Sequence, residues 1–419
     1  MYRQSLKIDW TSFLLYLFFV LMGWLNIYST SSGSGSPDIF DFTRNFGKQF
    51  LFIIISLVIG LAILYLDPRF IEFIAYGIYA VSILLLVIVL LFGITRNGSL
   101  SWIRIGNFQI QPSEFSKIAV CLALAKVMSK PNFSIDNILN RTKISIIIFL
   151  PVFLILLQKD TGTALVFLSL GLMLIREGLS LFYLVLAIIF LTVSLLSLLY
   201  GPTVAVASVW LLMLFSFYYI FRKQAFALHF VMALGFSLYS FFVDYVVFSY
   251  LKPHQQARVM AFLDPNIDPK GIGWNITQSK IAIGSGSFWG KGFLNGTQTK
   301  YDFVPENDTD FIFCTIGEEF GWVGSSILLL LWLLFLYRLI FMAENSKTKF
   351  ARIYGYAAAS IFFFHIMINI GMTIGLTPVI GIPLPFFSYG GSSLLAFSVL
   401  YFLLLNFYSN RMNVFASED

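Results

Sequence analysis

Charge is what this sequence has least of. Only 11% of its 419 residues are Asp, Glu, Lys or Arg, while 58% are hydrophobic; an ordinary soluble domain carries roughly 25% charged residues. A length that would allow two or three soluble domains therefore describes one polytopic membrane domain, with no room for a separate soluble module. Cysteine is scarcer still. Cys121 and Cys314 both fall inside apolar runs, make no metal spacing and require no disulfide, which leaves them as small buried residues. His229, His254 and His365 are too scattered for a metal site. No Walker loop, GxSxG elbow, HExxH or dinucleotide fingerprint occurs, so the energy for any reaction must arrive with the substrate. The first apolar run, Phe13 to Tyr28, has no small-residue cleavage site after it and reads as a retained span. The net charge of +6 is spread over loops, which fits membrane topology and excludes nucleic acid as a partner.

Long apolar runs are abundant. A spanning helix needs about 20 apolar residues, fewer inside a bundle, and crossings are expected at 12–30, 49–66, 70–92, 113–128, 144–157, 163–175, 181–200, 203–221, 226–249, 310–340, 353–374 and 386–408. The expected fold class is all-α, a polytopic transmembrane helix bundle of about 12 spans. The pair 144–157 and 163–175 is short and divided only by "QKDTGT"; charge makes it two crossings. With the amino terminus inside, the cytoplasmic segments collect Arg3, Lys7, Arg69, Lys126, Lys130, Arg141, Lys143, Arg176, Arg222, Lys223, Arg338, Lys347, Lys349, Arg352 and Arg411. The short outer loops keep Arg44, Lys48, Arg96, Arg104 and Lys159. Cytoplasmic loops are the ones enriched in Lys and Arg, so both termini are expected to be cytoplasmic. A long outer loop, 250–309, mixes aromatics and aliphatics with glycine, a composition for packing at the membrane face rather than for a solvated linker.

Ionisable groups in or beside spans are costly and are functional candidates by default. Glu114 and Lys117 in "QPSEFSKIAV" lie three apart on one helix face; they are either an orienting ion pair or an anion-binding lysine held by a carboxylate. Asp160 in "QKDTGT" suits an Asx turn or a direct role. Arg258, Lys280, Lys291 and Lys300 lie in the long loop, where Lys280 and Lys291 stand among glycines and aromatics in a way that suits phosphate capture at headgroup level. "VPENDTDFIFCTIGEEFGW" sets Glu306, Asp308, Asp310, Glu318 and Glu319 at the entrance to an inward-running helix. A helix cap at Thr309–Asp310 explains one carboxylate. It leaves the others unexplained, and an outer-face carboxylate here suits proton transfer from a sugar hydroxyl, or a divalent cation held against a pyrophosphate.

"RVMAFLDPNIDPKGIGWNITQSKIAIGSGSFWGKGFLNGTQTKYDFVPENDTDFIFCTIGEEFGWVG", "SWIRIGNFQIQPSEFSKIA", "QKDTGT" and "IGIPLPFFSYGGSS" together resemble the peptidoglycan polymerases of the shape, elongation, division and sporulation (SEDS) family. The motifs run from about residue 100 to 395, and "NGTQTKYDFVPE" is more similar to the elongation branch than to the division branch. The resemblance implies glycosyl transfer from lipid II at the outer face of the bacterial cytoplasmic membrane, with release of undecaprenyl pyrophosphate. It implies Asp310 as the essential carboxylate and candidate ligand of a divalent cation (magnesium or manganese), with no organic cofactor. It also implies Glu114–Lys117 as the family's membrane-embedded pair and Trp102 as its outer-loop tryptophan; Asp160, Arg258, Lys280, Lys291 and Glu306, read from the residues themselves, complete the candidate substrate-binding set. A class B penicillin-binding protein, which crosslinks the new strands, and the elongation machinery are the implied partners. Two departures stand out: Asp308 occupies the position of a family histidine, and the family usually has ten spans, so the surplus in 181–249 reads as an extra helical pair. A lipid II flippase or other transporter is the competing reading. The carboxylates cluster at the outer face rather than at the midplane, which favours surface chemistry.

Overall fold

In lipid the backbone must satisfy its own hydrogen bonds, so apolar runs fold as helices. The computed structural model describes residues 8–31, 41–96, 98–106, 108–219, 226–250, 253–264, 271–301 and 303–410. Arg3, Lys7, Arg222, Lys223 and Arg411, on which part of the charge reading rests, lie outside them. The first helices are α1 (Trp10–Thr30), α2 (Asn45–Leu64) and α3 (Pro68–Phe92). The Asp9 carboxylate caps α1 by accepting from Ser12 N at 3.2 Å, and Asp67 caps α3 ahead of a proline at the first turn. There follow α4 (Pro112–Met128) and α5 (Ile138–Leu157), then α6 (Thr161–Val166) and α7 (Leu170–Arg176), joined by one 3₁₀ turn. Asn137 caps α5 by accepting from Leu139 N at 2.9 Å, so that helix begins six residues before the expected span at 144.

The chain divides into two compact units, 1–178 with 278–419, and 179–277. The second unit holds α8 (Phe182–Tyr200), α9 (Pro202–Tyr219), α10 (Phe226–Tyr245) with a π-helical extension to Tyr250, and α11 (Pro253–Leu263). Inside it, Ser197 Oγ donates to Ser240 O at 3.0 Å, Trp210 Nε1 donates to Ser237 Oγ at 3.1 Å, and Phe190 meets Tyr239 edge-on. Polar side chains thus join helices whose exposed residues are mostly apolar. α12 (Ile272–Ser285) carries the chain into the first unit, followed by α13 (Thr297–Lys300), α14 (Ile312–Glu344), α15 (Lys349–Thr373) and α16 (Gly391–Ser409).

The core of the first unit is aromatic. Phe19 stacks on Trp332 at 3.8 Å, and Phe335, Phe386, Phe387, Phe362 and Tyr401 close around them. At the far end the Asp9 carboxylate also takes the Arg338 guanidinium.

Three boundaries correct the sequence expectation. The all-α class holds for the bulk of the chain, but a small antiparallel sheet, β1 (Ile94–Arg96), β2 (Ser99–Ile105) and β3 (Phe108–Ile110), precedes α4; β1 and β3, of three residues each, are too short to show a period in sequence. The last helix begins at Gly391 rather than 386, because Pro383 and Pro385 keep the preceding stretch out of helix. α14 is broken at Gly321, whose φ of 65° places it outside helical geometry.

Among the described residues nine helices are long and apolar enough to cross a membrane, and 161–176 and 202–215 are shorter apolar helices. Helices occupy all twelve expected positions; the number of crossings is a proposal. Cysteines placed singly at Asn295 and Gln224, in a chain lacking Cys121 and Cys314, test it with a membrane-impermeant thiol reagent on intact cells. Labelling at Asn295 alone is the expected result, and equal labelling would break the span count.

Candidate active site

The polar groups of the first unit gather on a stretch without regular structure, 374–390, between α15 and α16. It is no surface loop. Ile382, Leu384, Phe386, Phe387 and Ser388 are buried, and a Cβ on Gly23 of α1 would sit 2.6 Å from the Phe387 Cα. Buried backbone groups need partners, and here side chains supply them. Asn369 of α15 donates to Ile382 O at 2.8 Å and to Asp310 O at 3.0 Å. One helical turn earlier, His365 Nδ1 bonds Pro383 O at 3.1 Å. Gln49 of α2 donates to Ser388 O and accepts from Gly390 N. Ser388 Oγ accepts from Leu384 N and donates to Thr309 O at 2.6 Å, while Tyr389 N donates to Asp308 O at 2.7 Å.

This stitching places Asp310. Its side chain is half-buried, and Gly381 lies against it: a Cβ on Gly381 would come 3.3 Å from Asp310 Oδ2, and the φ of 78° there favours glycine in any case. The expected cap at Thr309–Asp310 is corrected. Phe311 holds the cap position of α14 and no side chain caps the helix, so Asp310 stands before the helix instead of on it. Asp308 Oδ2 accepts from Asn45 Nδ2 at 2.6 Å. Burial and the nearby Asp308 carboxylate push the Tyr389 phenol above its usual range, which keeps it neutral. Glu306 is exposed and accepts from Thr309 Oγ1 at 2.8 Å.

Glu114 and Lys117 meet as expected, Nζ to Oε2 at 2.9 Å, with both side chains buried in α4. The pair is a triad, which the sequence did not disclose. Lys117 Nζ is also 3.0 Å from His365 Nε2, and it lies 4.7 Å above the Phe397 ring. A carbonyl only accepts, so Nδ1 of His365 carries the proton toward Pro383 O and Nε2 accepts from the ammonium. The sequence signal for His365 is an ionisable residue inside a span, which metal-ligand spacing does not register.

Asp160 forms a helix cap. It caps α6, accepting from Thr163 N at 3.1 Å and Thr163 Oγ1 at 2.9 Å, and it receives Gln111 Nε2 at 2.8 Å. Its turn nevertheless belongs to the site, since a Cβ on Gly162 would come 2.7 Å from Ile380 O. Four consecutive residues, Ile380 to Pro383, thus touch the Asp160 turn, the Asp310 carboxylate, Asn369 and the Lys117–His365 pair. Trp102 lies half-buried on β2 under the Arg96 guanidinium, 5.4 Å from the ring centre, and Leu100 N ties that strand to Gln158 O beside Asp160.

Of the loop cations, Lys280 is exposed on α12. Lys291 is committed elsewhere: its ammonium pairs with the fully buried Glu318 at 2.7 Å. Glu318 also accepts from the backbone amides of Thr297, Gln298 and Thr299, so it staples the loop to α14. Glu319 accepts from Ser29 and from Leu294 N. Arg258 belongs to the second unit, on α11. No three His, Cys, Asp or Glu side chains gather as a metal cluster among the described residues.

The cell cycle proteins of the FtsW, RodA and SpoVE type match residues 9–210 and 183–413. The chain belongs to this family. It is 35% identical over 411 residues to the peptidoglycan glycosyltransferase RodA of Treponema pallidum, covering 92% of this chain and 94% of that protein. It is 32% identical over 409 residues to the peptidoglycan glycosyltransferase MrdB of Escherichia coli, covering 97% and 95%. One chain of a peptidoglycan synthase complex, solved to explain how polymerization and crosslinking are coordinated, superposes with a TM-score of 0.70 at 28% identity over 97% of this chain and 99% of that one.

Three variants probe this FtsW/RodA/SpoVE site. Lys117→Met strands the buried Glu114 charge and should cost about 3–5 kcal/mol. Glu114→Gln with Lys117→Met should recover the lost thermal stability yet stay inactive; recovered activity in the double variant would make the pair purely structural. Gly381→Ala should lower the melting temperature only slightly, since left-handed backbone costs an alanine about 1–2 kcal/mol. Its glycan synthesis should fall at least tenfold, because the added methyl crowds Asp310. A wild-type rate would free Asp310 from that backbone.

Proposed function

We infer that this protein is a peptidoglycan glycosyltransferase, the activity that the names of its RodA and MrdB relatives carry, and we propose that it joins lipid II disaccharides into glycan strands during cell elongation. The observation that carries the residue-level reading is the half-buried Asp310 carboxylate, held against Gly381 at one end of the bundle. Asp310 accepts the proton of the acceptor hydroxyl as that oxygen bonds to the donor's anomeric carbon. The bond from that carbon to the pyrophosphate oxygen breaks, and undecaprenyl pyrophosphate leaves with the electron pair. The exposed ammonium of Lys280 is available to the departing phosphates.

The donor set fits a hard divalent cation only in part. Asp310 offers one carboxylate, and Asp308 Oδ2 is occupied by Asn45, so magnesium or manganese would take Asp310 together with pyrophosphate oxygens and water, the usual arrangement for magnesium on phosphates. When bound, the ion would supply charge stabilisation to the leaving group. The reaction lies at the outer face of the bacterial cytoplasmic membrane, and a class B penicillin-binding protein that crosslinks the product is the expected partner, within the elongation machinery. A solved relative from a complex coordinating polymerization with crosslinking supports that pairing.

The buried Glu114–Lys117–His365 group is what a lipid II flippase or other transporter would also use. Polymerisation of lipid II by the purified protein with its partner separates the readings. Asp310→Ala should lower the rate by about 10²–10⁴-fold, with unchanged melting temperature and partner binding. Most of the activity surviving in a clean, folded preparation would sink the assignment.

A further inference from the structure

At the end of the bundle away from Asp310, an open cavity of about 360 Å³ lies between the C-terminal turn of α4, the loop after it and the first turns of α5, with Tyr76 of α3 on its wall. α4 starts beside Asp160 and runs for 17 residues, about 25 Å at 1.5 Å per residue. That is close to the hydrocarbon thickness of about 30 Å, so the cavity sits at the opposite headgroup level. Its polar lining is Lys130, Lys143, Asn132 and Asn140.

The carboxylates around it are engaged elsewhere. Asp136 pairs with Arg141 at 3.2 Å, and Glu72 of α3 lies in the field of Lys126, whose ammonium donates to Phe73 O at 2.7 Å. Lys130 and Lys143 make no ion pair with any described carboxylate. Below the cavity Ile146, Phe149 and Phe153 form one exposed apolar face of α5, spaced three and four apart. Basic residues placed only to set topology would need neither a concavity nor an apolar track leading from it.

We propose that this cavity seats the headgroup of an anionic phospholipid. The phosphate lies between the ammonium groups of Lys130 and Lys143, and an acyl chain follows the Ile146–Phe149–Phe153 face. Basic pockets between spanning helices hold such headgroups by charge. The proposal rests on the membrane reading of the bundle and is independent of the polymerase reading.

Binding of phosphatidylglycerol and of phosphatidylcholine to the purified full-length protein, measured by native mass spectrometry, tests it. Phosphatidylglycerol should bind at least tenfold more tightly. Lys130→Gln and Lys143→Gln should each weaken it about fivefold, and together about 30-fold. The Lys130→Arg/Lys143→Arg variant should keep it within about threefold, which guards against misfolding as the cause of any loss. Glycerol phosphate at the same concentration should not displace the lipid. Equal binding of the two lipids, retention within twofold by the Gln pair in a protein of unchanged melting temperature, or full displacement by glycerol phosphate would each overturn the proposal.

Discussion

Irregular backbone buried in a membrane protein survives only where protein groups replace water as hydrogen-bond partners, and the stretch 374–390 depends on that replacement. Asn369, His365, Gln49 and Ser388 each bond a backbone group of this stretch, and Asp308 O takes its Tyr389 amide. An unpaired buried polar group costs about 1–3 kcal/mol, so each partner constrains the path of the chain. The same partners are the residues of the candidate site or their immediate neighbours. Holding this backbone and positioning Asp310 are one task.

Carboxylates in the first unit are handled in two ways. Glu114 and Glu318 are buried and fully provided for, one by an ammonium that also meets His365, the other by Lys291 and three backbone amides. A buried charge left alone would cost several kcal/mol, which explains why these groups act as anchors. Glu318 pairs with the Lys291 ammonium and so holds 291–300 against α14. Asp310 is half-exposed and stands ahead of its helix.

A buried ion pair whose lysine shares a histidine with the 374–390 backbone gives that stretch electrostatic as well as steric definition. Moving Lys117 would disturb His365, and through Pro383 O the residues next to Gly381. The aromatic group of Phe19, Trp332, Phe335 and Phe386 closes the other side and leaves little room for the backbone to relax.

The sequence by itself determined the membrane class, the helices and the Glu114–Lys117 pairing, because apolar run length and helical spacing act locally and leave their period in the chain. It also carried the motifs of the family to which the chain belongs, and the capping role of Asp160 was legible in a short turn. The tertiary structure alone decided that "IGIPLPFF" is a buried, stitched segment, since the Asn369 and His365 side chains that bond its backbone lie on α15. It alone brought His365 to Lys117 across 248 positions, and assigned Lys291 to Glu318 through a loop whose composition suits either role. These contacts join residues far apart in the chain, and the physical reason they were hidden is that a side chain's partner is set by packing, while its own letter shows only what it is able to bind.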